Sequence, residues 1–283
     1  MSQNQDIADY YDQTLHHYKR WWKLDENLAV HYGIWDETSR NFPEALANTN
    51  KIMANIAGIG KNWNILDAGC GVGGSGIFLV KNYNVRVSGI TLSEKQLSFA
   101  EANSEKLKLS HLLDFRLEDF TRSSFKSNSF DLIWCIESIS SAADKSAFAR
   151  EAERLLKPGG KLIIADYFDV SNGADKKNYL EKWRKLWSMA PIESLKVYEP
   201  KFKENGFELV EDNDYTYGVR KTARRMYLSF VLGAVPAIIY NLVFKNTGRF
   251  GRNNYKSGYY QYKALKKKLW QYRILLFIKN ARR

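Results

Sequence analysis

The amino-acid sequence predicts an α/β protein. Its core is a doubly wound, mostly parallel seven-stranded sheet, with an N-terminal helical lid and a cap inserted before the last strand. Three observations predict it. Between residues 40 and 170, short apolar runs alternate with stretches of helical apolar spacing, the pattern of a sheet covered by helices on both faces. The first apolar run, "NILDAG", leads directly into a glycine-rich turn, "CGVGGSG". The last apolar run, "WQYRILLFIKN", stands apart from the others, beyond a long basic region.

Each element has its own signature. "FPEALANTNKIMANIAGI" carries helical apolar spacing, and "NILDAG" is a short buried strand. "SGIFLVKNY" reads as helix and "VRVSGI" as strand. "SEKQLSFAEANSEKL" is a polar-faced helix that opens on a serine cap. "LLDFRLED" is a strand and turn, and "FDLIWCI" is an apolar strand. "DKSAFAREAERLLKPGG" is an amphipathic helix with a Pro-Gly-Gly stop, followed by the strand "KLIIADYF". Beyond Phe168, "NYLEKWRKLWSM" is a helix with an aromatic face, and "YEPKFKENGFELVEDND" is a helix, a glycine turn and a strand. These readings divide the chain into a lid (1–45), an α/β core (46–214), a basic cap (215–268) and a final core strand (269–283).

The 283 residues, 45% of them hydrophobic, suffice for one α/β domain with an insertion and a large core. No disulfide or metal is needed to hold such a core. The two cysteines, Cys70 and Cys135, form no cluster with histidine at metal-ligand spacing, so no metal is expected. A reducing, cytoplasmic compartment follows from the low cysteine content. The polar start "MSQNQDIADYYDQ" lacks the basic and apolar regions of a signal peptide. The net charge of +12 is uneven: residues 215–283 hold 16 of the 43 Lys and Arg and none of the 31 Asp and Glu, leaving 27 basic against 31 acidic residues before them. Such a block favours a polyanionic partner (nucleic acid, anionic lipid headgroups or a phosphorylated substrate) or is a solvated face.

Gly69, Gly71 and Gly74 match the dinucleotide pattern G-x-G-x-x-G. The flanking residues argue against a dinucleotide. Asp67 ends the first strand, where its carboxylate would face two phosphate charges, and Thr91 ends the second, where an acid should meet the ribose. A carboxylate there suits a cationic ligand, and S-adenosylmethionine carries an ammonium and a sulfonium but no phosphate.

"LDAGCGVGG", "GITLSEKQ", "RLEDF", "FDLIWCIES" and "LKPGGKLIIAD" follow one another in the order and spacing of class I S-adenosylmethionine-dependent methyltransferases. Thr-Leu-Ser followed by Gln resembles the small-molecule branch containing tocopherol C-methyltransferases and cyclopropane fatty acid synthases, and "ADYYDQTLHHYKRWW" and "VHYGIWDE" resemble that branch's lid. The resemblance covers about residues 8–170 and no part of the last 70. It implies a Rossmann-like methyltransferase fold, S-adenosyl-L-methionine as cofactor and a set of site residues. Asp67, Gly69, Cys70 and Gly71 would border the methionine part, with glycine needed where a Cβ would block approach. Thr91, Leu92 and Gln96 would contact ribose and adenine, Gln96 standing in for the missing acid. Asp119 would receive the adenine amino group between Glu118 and Phe120, unless the charges there form only a polar turn. Cys135 and Glu137 would end the fourth strand at the reacting methyl, and Tyr32, with Tyr10 or Tyr11, would cover the cofactor. Glu137 either orients substrate or accepts a proton, or it only ties down the lid. His31 is the one histidine near the site with a chemical look, and a structural role is its alternative. The Glu-His-Val-Gly signature of cyclopropane synthases is absent from "ESISSAADK", which counts against cyclopropane chemistry.

The cap contains 19 uncharged residues from Met226 to Phe244, preceded by Arg224 and Arg225 and followed by Lys245. The length is that of a membrane span, but a crossing would strand the last strand on the far side, and Gly233 and Pro236 are expected to break the segment. An apolar pocket lid that dips into an anionic membrane surface accounts for it better. Tyr227, Phe230, Tyr240, Phe244, Tyr255, Tyr259, Tyr260 and Tyr262 make the region aromatic, so the expected acceptor is small and lipophilic: a prenylated quinol or phenol, a sterol-like or polyene lipid, or a prenyl diphosphate. Two alternatives belong to other classes. An RNA methyltransferase would use the basic, tyrosine-rich region, although the chain lacks Asn/Asp-Pro-Pro-Tyr/Phe and Pro-Cys, so nucleic acid is the less expected partner. A noncatalytic, membrane-associated S-adenosylmethionine-binding protein would need only the loop and the basic face.

Overall fold

The structure, a computed structural model, describes residues 3–243 and 248–281. Its helices are α1 (Gln3–Trp22), α2 (Leu24–Asn27), α3 (Phe42–Ala57), α4 (Gly74–Tyr83), α5 (Glu94–Lys106), α6 (Lys145–Leu155), α7 (Tyr179–Leu186), α8 (Leu195–Glu204), α9 (Arg220–Val243), α10 (Arg249–Asn253) and α11 (Ser257–Lys266). The strands are β1 (Asn64–Ala68), β2 (Arg86–Thr91), β3 (Leu113–Leu117), β4 (Phe130–Ile136), β5 (Leu156–Asp169), β6 (Phe207–Asp214) and β7 (Trp270–Lys279). They form one sheet in the order β3-β2-β1-β4-β5-β7-β6. β1 to β5 pair in parallel, and β7 runs antiparallel to both β5 and β6. The expected doubly wound, mostly parallel seven-stranded sheet is present. Parallel strands need crossovers, and α4, α5 and α6 provide those from β1 to β2, β2 to β3 and β4 to β5.

Local chemistry sets the helix ends. The Asn41 side chain accepts from the Glu44 N–H while Glu44 Oε2 accepts from the Arg40 N–H, so α3 opens on a reciprocal cap. Ser93 caps α5 by accepting from the Gln96 N–H, as its sequence predicts. Asp144 caps α6 through the Ser146 and Ala147 N–H groups. Two apolar cores lie on opposite faces of the sheet, and strand alternation divides the residues between them: Leu132 and Trp134 belong to one, Ile133 and Cys135 to the other.

Residues 215–268 lie between β6 and β7 and hold α9, α10 and α11. One expectation fails here. α9 runs unbroken through Gly233 and Pro236. Pro236 removes one backbone donor, but helical residues resume at once after it, so the loss costs a hydrogen bond and not the helix. Phe244 and Lys245 lie outside the described residues.

Candidate active site

α1 roofs the carboxyl edge of β2 and β3. The Asn4 side chain donates to Asp119 Oδ2 at 2.6 Å, Ser93 Oγ donates to Asp12 Oδ1 at 2.5 Å, and Lys95 Nζ donates to the Asp12 carbonyl at 2.8 Å. Asn4, Ile7, Tyr11 and Tyr18 recur at helical spacing and line the cavity below, whose volume is about 220 Å³. Tyr10 also borders it, and the Tyr10 and Tyr18 hydroxyls bond each other at 2.9 Å.

The cavity gathers most of the residues expected from the sequence. Gly69, Gly71, Thr91, Leu92 and Gln96 form one wall, Glu118, Asp119 and Phe120 a second, and His31 and Glu137 lie at the far end. Gly69 has φ +92°, and a Cβ there would stand 2.4 Å from Ser138 Cβ, so the loops after β1 and β4 approach closely only because Gly69 has no side chain. Thr91 Oγ1 donates to Gln96 Oε1 at 2.9 Å, which leaves the Gln96 amide nitrogen as the donor end of a buried side chain. Asp119 Oδ1 accepts from the Thr121 N–H and hydroxyl, and Glu118 accepts from the Ser124 N–H and hydroxyl. Phe120 packs edge-on against Phe148.

Four expected residues are not part of the wall. Cys135 is fully buried in the core on the opposite face: two-residue strand alternation points Ile136, not Cys135, into the cavity. Tyr32 is buried, and its hydroxyl donates to Gln261 Oε1 at 2.9 Å; its ring packs edge-on behind Tyr167 and Trp187 rather than lining the cavity. Cys70 is buried with its thiol directed to the Gly71 carbonyl at 3.7 Å. Asp67 lies beneath the loop and accepts from the Gly76 N–H, and its Oδ2 is buried without a hydrogen-bond partner. Burial pushes the Asp67 carboxyl up to about 7.

Glu137 has φ +52°. Its N–H donates to the Ala165 carbonyl at 2.8 Å. Its carboxylate accepts from the Tyr32 N–H at 2.6 Å, from the Tyr272 hydroxyl at 2.9 Å and from the Tyr167 hydroxyl. Burial raises this carboxyl to about 8 against the pull of those donors. Next to it, Asp166 accepts from the Ser140 and Tyr167 N–H groups and is raised by burial to about 6. Tyr167 and Trp187 complete that end of the cavity. Sequence reading did not single out Tyr167, Tyr272, Asp166 or Trp187. The one available signal was "ADYF", which sets a polar pair at the carboxyl end of β5.

His31 Nδ1 lies 2.9 Å from the Tyr32 carbonyl oxygen. A carbonyl only accepts, so Nδ1 carries the proton and Nε2 keeps its lone pair. Burial lowers the imidazole to about 4, so the ring is neutral near pH 7.

A second cavity, of about 520 Å³, lies between α1 and α9. His17, Met226, Phe230, Pro236, Ala237 and Tyr255 are among its lining residues. Tyr18 and Trp187 border both cavities. Among the described residues no group of acids, histidines and cysteines could hold a metal, and no helix is long and apolar enough to cross a membrane.

The glycine loop, its buried carboxylate and the sheet order are those of a methyltransferase domain, and residues 66–164 match the family model of that description. The chain is 30% identical to the 27-O-demethylrifamycin SV methyltransferase of Amycolatopsis mediterranei, over 65% of this chain and 67% of the relative. It is also 30% identical to the 2-methyl-6-phytyl-1,4-hydroquinone methyltransferase of a Synechocystis species, over 71% of this chain and 64% of that protein. The geranyl diphosphate C-methyltransferase of Streptomyces coelicolor, solved with Mg2+, geranyl diphosphate and S-adenosyl-L-homocysteine, superposes with a TM-score of 0.76 at 16% identity, covering 99% of each chain. The fold likeness thus extends through the C-terminal region, beyond the span of the sequence resemblance. The chain belongs to the class I S-adenosylmethionine-dependent methyltransferases, in their small-molecule branch. It is an enzyme, and its cofactor is S-adenosyl-L-methionine.

Proposed function

We propose that the protein methylates a small lipophilic acceptor whose reacting end lies between His31 and Glu137 and whose apolar body fills the cavity behind α9. The observation that carries this reading is the sharing of Tyr18 and Trp187 by the two cavities: the chamber beside the glycine loop, which holds His31 and Glu137, adjoins a larger chamber with Trp22, Met226, Phe230, Leu232 and Tyr255 in its lining. The phytyl hydroquinone named for one relative is of this kind, and a prenylated quinol or phenol, a sterol-like or polyene lipid, or a prenyl diphosphate would suit the space.

The residues present fit the cofactor. Asp67 offers an unpaired buried carboxylate oxygen, and Asp67, Glu137 and Asp166 are three acids whose ionisation burial opposes and a nearby cation would restore. Gly69, Gly71, Thr91, Leu92, Gln96, Glu118, Asp119 and Phe120 would hold the cofactor, with the field of Asp67 acting from beneath the loop. When bound, the cofactor supplies an electrophilic methyl on a sulfonium. The chain's task is then alignment, and holding nucleophile and electrophile near contact removes roughly 7 kcal/mol or more of barrier. His31, with its lone pair on Nε2, would accept a hydrogen bond from an acceptor hydroxyl and so orient the substrate oxygen. Its low pKa suits orientation better than proton storage. Glu137, with both oxygens taken by protein donors, positions the Tyr32 backbone and thereby the His31 ring.

The test is transfer of a labelled methyl group from S-adenosylmethionine to a panel of prenylated quinols, sterols, polyenes and prenyl diphosphates, with polar amines and RNA as controls. Label in an organic-extractable product is expected. Label confined to RNA or to polar amines overturns the reading. Ala237→Trp, which fills the larger cavity, should raise the acceptor KM and leave cofactor affinity unchanged. His31→Gln should lower kcat more than it changes cofactor affinity.

A further inference from the structure

We propose that α9 is a two-faced docking helix: its outward stripe seats the protein on an anionic bilayer, and its inward stripe receives the acceptor from that bilayer. The second half rests on the lipophilic acceptor proposed above; the first does not.

Residues three and four apart share one face of a helix. Leu228, Val231, Val235, Ile238, Ile239 and Leu242 follow that spacing and are between 45% and 74% exposed. A continuous aliphatic stripe open to water is costly in a monomer and marks a contact surface. With about 1.5 Å of rise per residue, the stretch from Leu228 to Val243 is about 22 Å long. The same stripe, continued toward the N-terminus of α9, carries Arg220, Lys221 and Arg224, all exposed. Arg220 lies over the Tyr217 ring and Lys221 over the Trp35 ring, contacts that brace their stems and leave both cations at the surface. No acidic residue follows Asp214 in the chain.

These features fit one occupant. A bilayer presents an apolar interior beside a plane of negative headgroups, which matches aliphatic residues that adjoin cations on one helix face. In a two-fold contact through this stripe, a second copy would set the same acid-free, basic region against it, with no charge to complement the cations. Among the described residues no helix is long and apolar enough to cross a membrane, so α9 would lie in the interface.

The opposite face of α9 is different in kind. Ser229, Gly233 and Ala237 are small and, with Pro236, line the larger cavity. Leu232 and Tyr240 line the same cavity and are 69% and 49% exposed, so its mouth opens beside the outward stripe. A lipid leaving the bilayer would enter the cavity without crossing water.

The test is flotation of the full-length chain with phosphatidylcholine vesicles, with and without one-third phosphatidylglycerol, at physiological salt. The wild type should float with the anionic vesicles about tenfold better than with the neutral ones, an advantage that high salt erases. Val235→Glu with Ile239→Glu should abolish flotation, and Arg220→Gln, Lys221→Gln and Arg224→Gln together should remove the anionic preference. All five side chains are exposed and outside both cavities, so melting temperature and cofactor titration should match wild type. Failure of the wild type to float, or equal flotation of the double glutamate variant, overturns docking. Light scattering that shows the double variant dissociating a wild-type dimer, with no vesicle binding, assigns the stripe to a second copy and also overturns it. Flotation without methyl transfer to any lipophilic acceptor sinks the acceptor reading and leaves docking intact. Transfer to micellar acceptor without flotation sinks docking alone.

Discussion

Replacing Glu137 with glutamine should change how stability depends on pH, and the structure sets both the sign and the size. The folded carboxyl is raised to about 8, against an ordinary glutamate value of 4.5, with desolvation as the largest cause. A raised folded pKa means that the native state holds a proton the unfolded chain has lost. The stabilising contribution is therefore complete below the unfolded value, declines as pH climbs through the window from 4.5, and is gone above the folded value near 8. Each pH unit inside the window is worth about 1.4 kcal/mol, which sets a ceiling of about 5 kcal/mol across it. Asp67 and Asp166 contribute slopes of the same sign, so the wild-type curve alone does not isolate Glu137. The difference between wild type and Glu137→Gln does, because the amide keeps an acceptor for the Tyr32 N–H and cannot titrate. Urea denaturation of both proteins without cofactor, from pH 5 to pH 8, gives that difference. Wild type should lose stability relative to the variant as pH rises. A flat difference, or one that grows in favour of wild type, would refute the buried-carboxyl argument. Glu137→Ala should be worse at every pH, since it leaves the Tyr32 N–H without an acceptor at a cost of about 1–3 kcal/mol and opens a cavity besides.

Two further outcomes can be measured by calorimetry. If Asp67 acts on a cationic ligand from beneath the loop, affinity for S-adenosylmethionine should rise between pH 6 and pH 8 as its carboxyl, raised to about 7, ionises; Asp67→Asn should bind more weakly with a flat profile, and parallel profiles would remove Asp67 from binding. Gly69→Ala should cost most of the cofactor affinity, because its Cβ would meet Ser138 Cβ at 2.4 Å with φ at +92°, whereas Gly159→Ala, at φ +74° with nothing within 4 Å, should bear only backbone strain and bind normally.

The elements legible in the sequence are those built from local pattern. Strand and helix periods located all seven strands, Ser93 announced the start of α5, and the glycines located the loop. The site was legible only where it follows the chain. Glu137 and Cys135 are two residues apart, so a continuing strand would put both side chains on one face. The chain instead turns into the left-handed region at Glu137, which carries its carboxylate to the cavity while Cys135 stays in the opposite core. No composition or period signals that turn. The partners of Glu137 are less accessible still: the Tyr32 N–H, the Tyr167 hydroxyl and the Tyr272 hydroxyl come from three distant segments, and Tyr167 meets Tyr272 only through the antiparallel register of β5 and β7. α9 fails for a related reason. Gly233 and Pro236 are local breakers, but their positions on the helix face the cavity, where small side chains leave room for a ligand. Local rules read them as punctuation, and tertiary structure uses them as the wall of a chamber.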